Sequence, residues 1–209
     1  MTPQAGDVPP PYSRPMSTSR SARRQLRIAR RALTTQEQRK HAQQLSRHLG
    51  RSLRFRRAKR IGIYWPTDGE LDPRPLLRLK PSSQWHLPVL RRFPRPKLMF
   101  VRWSRRDRLA PNRFGIPEPR RRGLRVRSPL ALDLLLVPAV GLDRRGHRIG
   151  MGCGYYDRTL AFLLRRRYWR RPRLVGIAHS CQELPAIVPQ PWDVPLDAIV
   201  TDEGLWGKM

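Results

Sequence analysis

Leu132-Asp133-Leu134-Leu135-Leu136-Val137 is a run of apolar residues interrupted by one acid. A half-buried strand alternates apolar and polar side chains. A run without that alternation fits a strand covered on both faces, as in a parallel sheet. Further strands are read at Lys59–Tyr64, which the turn residues Trp65-Pro66-Thr67-Asp68-Gly69 stop, and at Trp85–Leu90, Lys97–Trp103, Arg173–Ala178 and Asp197–Val200. Helical segments fall between them: a short one at Leu76–Leu79 and a longer one at Tyr155–Arg167. Two more precede the first strand. Ser21–Leu33 reads as a basic helix with Leu26, Ile28, Ala29 and Leu33 partly on one face. Thr34-Thr-Gln-Glu37 is a capping box opening a helix whose stripe Ala42, Leu45, Leu49, Leu53 is core. Strands alternating with helices predict a single three-layer αβα domain over residues 19–209 with a mainly parallel sheet. In such folds ligands collect beyond the carboxyl ends of the strands, here the loops after Tyr64, Trp103, Val137 and Ala178.

The 209 residues carry a net charge of +29, with only five lysines, so arginine dominates. A nucleic-acid partner is the first functional reading of such charge. The arginines, however, are spread from Arg14 to Arg173 without a zinc-finger, RNP or basic-zipper pattern. That favours a solvated arginine-rich surface with no specific nucleic-acid partner. Cys153 and Cys181 lie far apart and form no CxxC, which suits a reducing compartment. No apolar run approaches the ~20 residues of a membrane span, and the N-terminus lacks the apolar segment of a secretory signal. A cytoplasmic protein without a membrane partner is expected. Residues 1–18, rich in Pro, Ser and Thr, are expected to be disordered, with Met16 as a candidate true start.

The chemistry is concentrated in Gly146-His-Arg-Ile-Gly-Met-Gly-Cys-Gly-Tyr-Tyr-Asp-Arg-Thr-Leu160. Dense glycines expose backbone N–H groups and permit positive φ, as a loop wrapped on an anion requires, and a helix follows directly. The stretch lacks G-x-x-x-x-G-K-[ST], and Gly150-x-Gly152-x-Gly154 has the wrong spacing for G-x-G-x-x-G. Arg148, Tyr155, Tyr156 and Asp157 nevertheless single it out as a phosphate-handling loop.

This stretch resembles the G-x-R-[LI]-G-x-G-x-G-[YF]-Y-D-R-x-L signature of the 5-formyltetrahydrofolate cyclo-ligase family. Other family motifs have counterparts in order: Arg30–Thr34, Tyr64–Asp72, Gly115–Pro119, Asp133–Pro138, Cys181-Gln182, and Pro191–Asp193 through Val200–Asp202. The resemblance spans residues ~19 to 203. It implies an enzyme that uses ATP and Mg²⁺ to close 5-formyltetrahydrofolate, polyglutamylated or not, into 5,10-methenyltetrahydrofolate, releasing ADP and phosphate. The mechanism it implies has the formyl oxygen attack the γ-phosphate and N10 then displace phosphate, chemistry that depends on positioning and charge neutralisation.

The same resemblance assigns roles. Arg148, Tyr155 and Asp157 are the catalytic candidates. Arg148, Ile149, Gly150, Met151, Gly152, Cys153, Gly154, Tyr155 and Tyr156 would cradle ATP, with Ser19, Arg20 and Arg23 reaching it from the N-terminal helix. Ser19 departs from the family's basic residue, with Arg20 as its substitute. Met151 and Cys153 stand where some members carry basic residues. Trp65, Glu70, Trp103 and Tyr155 would hold the folate, Glu70 by accepting from pterin N–H donors. Asp157 and Asp193 would hold Mg²⁺. His147, His179 and Cys181 are read as structural or loop residues. Two rival readings stay open: an arginine-rich RNA-binding protein whose glycine loop is only a turn, and an ATP-using enzyme of this fold with a different acid substrate.

Overall fold

A computed structural model describes residues 20–91, 96–120, 126–166 and 171–208. The tail at 1–18, the candidate start Met16, Ser19 and the predicted helix end at Arg167 lie outside these residues. Helix α1 (Arg20–Arg31) and helix α2 (Thr35–Arg51) come first. The capping box forms as read: the Glu37 amide donates to Thr34 Oγ1 at 3.2 Å and the Thr34 amide to Glu37 Oε2 at 2.7 Å. Two expected core positions are corrected. Ser52 ends α2 and caps a separate helix α3 (Leu53–Arg57), so Leu53 turns out to solvent and Phe55 takes the core place. On α1 the covered face is Ala22, Leu26 and Arg30, at a spacing of four, and Ile28 is exposed.

Strand β1 (Arg60–Gly62), helix α4 (Leu76–Leu79), strands β2 (Gln84–Arg91) and β3 (Lys97–Arg102), hairpin β4–β5 (Leu109–Pro111 and Pro117–Pro119) and strand β6 (Val126–Arg127) follow. Strand β7 (Leu134–Pro138), hairpin β8–β9 (Gly141–Leu142 and Arg148–Ile149), helix α5 (Tyr155–Leu160), β10 (Arg173–Ile177), β11 (Ala198–Val200) and β12 (Leu205–Gly207) complete the order. The main sheet runs β12-β11-β10-β7-β1-β2-β3-β6. Strands β11, β10, β7, β1 and β2 are mutually parallel, while β12, β3 and β6 pair antiparallel at the edges. The chain is thus a mixed α/β fold on a mainly parallel sheet, as expected. The two small hairpins, β6 and β12 have no counterpart in the sequence reading. The predicted long helix at Tyr155 tightens into a 3₁₀ segment over Ala161–Arg165. Among the described residues no helix is long and apolar enough to cross a membrane.

Strand β7 explains the opening run. Leu134 and Leu136 pack on one face with Ala42, Leu45, Leu49 and Phe55. Leu135 and Val137 pack on the other with Phe100, Leu160 and Leu163. Both faces are dry, so alternation has nothing to separate. Asp133 sits just before the strand, where its carboxylate accepts from the Lys59 and Arg60 amides at 3.0 and 2.9 Å. A buried Leu→Ala change here should cost ~2–5 kcal/mol.

Candidate active site

Beyond the carboxyl ends of β1, β2 and β7 lies a cleft of ≈ 420 Å³. Its first wall is the Thr67–Glu70 turn that follows β1. Asp68 holds φ +54°, rare for a residue with a Cβ, and Gly69 holds φ +76°. The strained turn is heavily tied. The Asp68 carboxylate accepts from Arg27 Nε at 2.9 Å, from Arg30 Nη2 at 2.6 Å and from Arg31, while Arg30 Nε donates to the Asp68 carbonyl at 2.8 Å. Burial works against the Asp68 charge, but these three guanidinium groups hold its carboxyl down to about 2. The Arg30 side chain is fully buried, yet among the described residues its Nη1 has no hydrogen-bond partner, and it lies 3.8 Å from Glu70 Oε1. Glu70 Oε2 accepts from the Thr67 amide at 3.1 Å. Burial pushes the Glu70 carboxyl up, opposed by Arg30 and the Thr67 amide.

The opposite wall is the glycine loop and the start of α5. Gly150, Met151, Cys153, Gly154, Tyr155, Tyr156 and Asp157 all reach the cleft. Helix α1 lies across the loop: Arg23 Nε donates to the Gly150 carbonyl at 3.0 Å. There Arg20, Arg23, Arg24, Arg27 and Arg31 form a basic pocket closed by Met151, Gly152 and Cys153. Gly152 carries φ +98°, a backbone state open to glycine and strained for other residues. Arg148 is buried, donating from Nη1 to the Val194 carbonyl at 2.7 Å and from Nη2 to Asp157 Oδ1. Tyr155 presents its ring to the cleft, and its hydroxyl oxygen accepts from Arg113. The Tyr156 phenol is raised by burial and by Glu70, and lowered by Arg148. Apolar side chains of Pro88, Leu90, Leu98, Phe114 and Ile116 line the space between the walls.

The structure brings most of the sequence candidates together and sets Trp103, Ile149 and Asp193 apart from the cleft lining. Trp103 is not in the cleft: β3 is antiparallel, so Trp103 lies level with the start of β2, its amide on the Trp85 carbonyl at 2.8 Å. Its ring packs edge-on, 5.9 Å from that of Trp65, which does line the cleft. Ile149 is packed into a small core with Leu26, Val140, Leu184 and Ile187, so its side chain faces away from any nucleotide. Arg148, read as a phosphate neutraliser, does line the cleft, with its guanidinium on Asp157 and the Val194 carbonyl. Asp193 lies outside the cleft lining; its Oδ2 accepts from the Gln190 amide at 2.8 Å. The next residue, Val194, places its amide 3.5 Å from Asp157 Oδ1, so the two acids belong to one neighbourhood. Sequence reading missed Arg27, Arg30, Arg31, Asp68, Arg113 and Phe114. The helical spacing of the first three was visible, but in a chain so rich in arginine it carried no contrast.

A cleft at the carboxyl ends of a parallel sheet, with a glycine loop backed by the α1 arginines facing the Glu70 carboxylate, is where an α/β enzyme places its site. Comparison with known proteins specifies it. The profile of the 5-formyltetrahydrofolate cyclo-ligase family matches residues 15–202. The 5-formyltetrahydrofolate cyclo-ligase of Escherichia coli K12 is 36% identical over 186 residues, covering 87% of this chain and 98% of its own. That of Haemophilus influenzae is 34% identical, covering 83% and 92%. Among solved structures, the 5,10-methenyltetrahydrofolate synthetase of Aquifex aeolicus superposes with a TM-score of 0.75 at 28% identity, covering 90% of this chain and 91% of its own. The chain belongs to the 5-formyltetrahydrofolate cyclo-ligase family and is a ligase.

Proposed function

We propose that the protein closes 5-formyltetrahydrofolate to 5,10-methenyltetrahydrofolate at the expense of ATP. The observation that carries the reading is one cleft with two unlike walls, a preformed acid-bearing turn and a glycine loop backed by the α1 arginines. Glu70 accepts from the pterin N–H donors, with Arg30 Nη1 keeping its carboxylate charged as those donors approach. Trp65 flanks the ring. The arginines of α1 and the backbone of Gly150–Gly154 hold the triphosphate. Their excess charge also suits a polyglutamylated folate tail. Formyl oxygen attacks the γ-phosphorus and ADP leaves; N10 then attacks the activated carbon, and phosphate departs as the ring closes. Because Arg113 donates to the Tyr155 oxygen, the Tyr155 proton is left to point at the reacting oxygens. Pro88, Leu90, Leu98, Phe114 and Ile116 keep water from the phosphorylated intermediate.

The acids fit a Mg²⁺ ion. Oδ1 of Asp157 is taken by Arg148 and the Val194 amide, while Oδ2 carries no bond among the described residues. Among the described residues, Asp193 Oδ1 likewise carries no bond. One or two monodentate carboxylates beside phosphate oxygens are what Mg²⁺ takes. Bound there with ATP, the ion would neutralise phosphate charge. Arg148, buried against Asp157, orients that carboxylate. Both cysteines are free, in keeping with a reducing cytoplasm.

The test is to supply 5-formyltetrahydrofolate with MgATP and follow methenyl absorbance. Product is expected only with ATP, and its absence would overturn the reading. Glu70→Gln should raise KM for the folate at least tenfold with little change in KM for ATP; Asp157→Asn should abolish turnover in a protein that still melts cooperatively.

A further inference from the structure

The His179 ring is buried behind the Thr67–Glu70 turn, outside the cleft lining itself. Its Nε2 lies 3.1 Å from the Gly69 carbonyl oxygen, and its Nδ1 lies 2.9 Å from Nδ1 of His41 on α2. The carbonyl only accepts, so His179 Nε2 carries a proton. A neutral His179 then has a bare Nδ1, and His41 must donate to it. Neutrality follows from the surroundings, since burial and the charges of His41 and Arg30 push His179 down to about 4. Asp202 completes the pattern, with Oδ1 3.5 Å from His41 Nδ1 and its two oxygens taken by the Ser180 amide and hydroxyl at 2.8 Å each.

His41, His179 and Asp202 also form a possible metal-ligand trio. Two imidazoles sharing a tetrahedral zinc at ~2.0–2.1 Å keep their nitrogens roughly 3.3 Å apart. The observed 2.9 Å is a hydrogen-bond distance, and the chain of donors and acceptors closes with a proton.

The carbonyl that this chain holds belongs to Gly69, the residue before Glu70. The arginines of α1 fix Asp68 on the other side of the same glycine. We propose that His179, braced by His41, is a positioning residue for folate binding: His41 Nδ1–H···Nδ1 His179 Nε2–H···O=C Gly69 sets the Gly69–Glu70 peptide and thereby aims the Glu70 carboxylate. This rests on Glu70 being the folate acceptor.

The experiment measures kcat and both KM values for wild type, His179→Leu, His179→Gln, His41→Phe and Glu70→Gln, with zinc titrated into wild type and His41→Phe by calorimetry. His179→Leu should raise KM for the folate about tenfold, the loss of one aimed contact, leaving KM for ATP within about twofold. His179→Gln, whose side-chain N–H can reach the Gly69 carbonyl, should restore most of that loss. His41→Phe, on α2 beside His179, should raise it about threefold. Equal effects of Leu and Gln, or parallel changes in both KM values and kcat, would show His179 to be structural only. Should His179→Leu not fold, an unchanged folate KM in His41→Phe overturns the proposal. A stoichiometric zinc site lost in His41→Phe overturns it in favour of a metal. If Glu70→Gln leaves the folate KM unchanged, the substrate reading itself fails; if Glu70→Gln raises it and the histidine variants do not, only the relay fails.

Discussion

The two walls of the cleft are built in opposite ways. The Thr67–Glu70 turn is over-determined, held in a strained backbone by Arg27, Arg30, Arg31 and His179. The glycine loop has few ties: Arg23 reaches the Gly150 carbonyl, Arg158 reaches the Cys153 carbonyl, and Met151, Gly152 and Cys153 are exposed. A rigid wall suits a ring whose donors must be met at fixed positions, because little order remains to be lost on binding. An open backbone suits phosphate, whose oxygens can be met from many directions. On the proposed reading, one wall would discriminate and the other accommodate.

Substitutions should expose this difference. Arg30→Ala removes one partner of a buried ion pair and leaves Asp68 with its remaining guanidinium partners at the surface. It should cost about 3–5 kcal/mol in urea unfolding and raise the folate KM. A loss below 1 kcal/mol would mean that the turn is held by its backbone alone. Acid provides the next largest effect. His86 and His179 are both pushed down from 6.5 to about 4, in each case chiefly by burial. Between those values the unfolded chain binds protons that the folded chain refuses. Stability should therefore fall as pH drops from 6.5 toward 4, by on the order of 3 kcal/mol per histidine at the limit, and stay flat above 6.5. Urea midpoints across that range check the sign. The Asp68 carboxyl works lower: its contribution is present above 3.8 and is lost as pH falls toward 2.

Glycine variants compare the walls directly. Gly69→Ala carries a left-handed backbone and brings its Cβ to 3.3 Å from the Arg30 carbonyl, so it should cost ~1–2 kcal/mol and weaken folate binding. Gly152→Ala meets only the far end of Arg23, at 4.0 Å, and should cost about 1 kcal/mol while raising KM for ATP alone. Parallel KM changes in the two variants would erase the distinction between the walls. The smallest effect is ionic: kcat/KM should decline several-fold between low and physiological salt, as the basic mouth loses its pull on polyanionic substrates.

Much of the fold was legible because its causes are local. The capping box at Thr34–Glu37 needs only four consecutive residues, and the apolar run at Leu134–Val137 reports two dry faces directly. Helix breaks were less legible: Leu53 continued the α2 periodicity on paper, but Ser52 capped a new helix and Phe55 won the core. Antiparallel pairing of β3 was invisible as well, since strand direction depends on partners rather than on pattern. That error put Trp103 at the wrong end of the sheet.

By itself, then, the sequence determined the mainly parallel α/β class, the glycine loop and the acid after the first strand, because period, turn chemistry and motif spacing are properties of neighbouring residues. Tertiary structure decided which charges matter. Of the 44 lysines and arginines, Arg30 is fully buried and Arg27 and Arg31 converge with it on one strained aspartate, though each looks like any other arginine in the chain. Only the docking of α1 against the turn after β1 brings them within hydrogen-bonding reach of Asp68. Only the 3₁₀ turn after β10 sets His179 against Gly69 across 110 residues of chain. Contacts at that separation are chosen by packing, which no local pattern encodes.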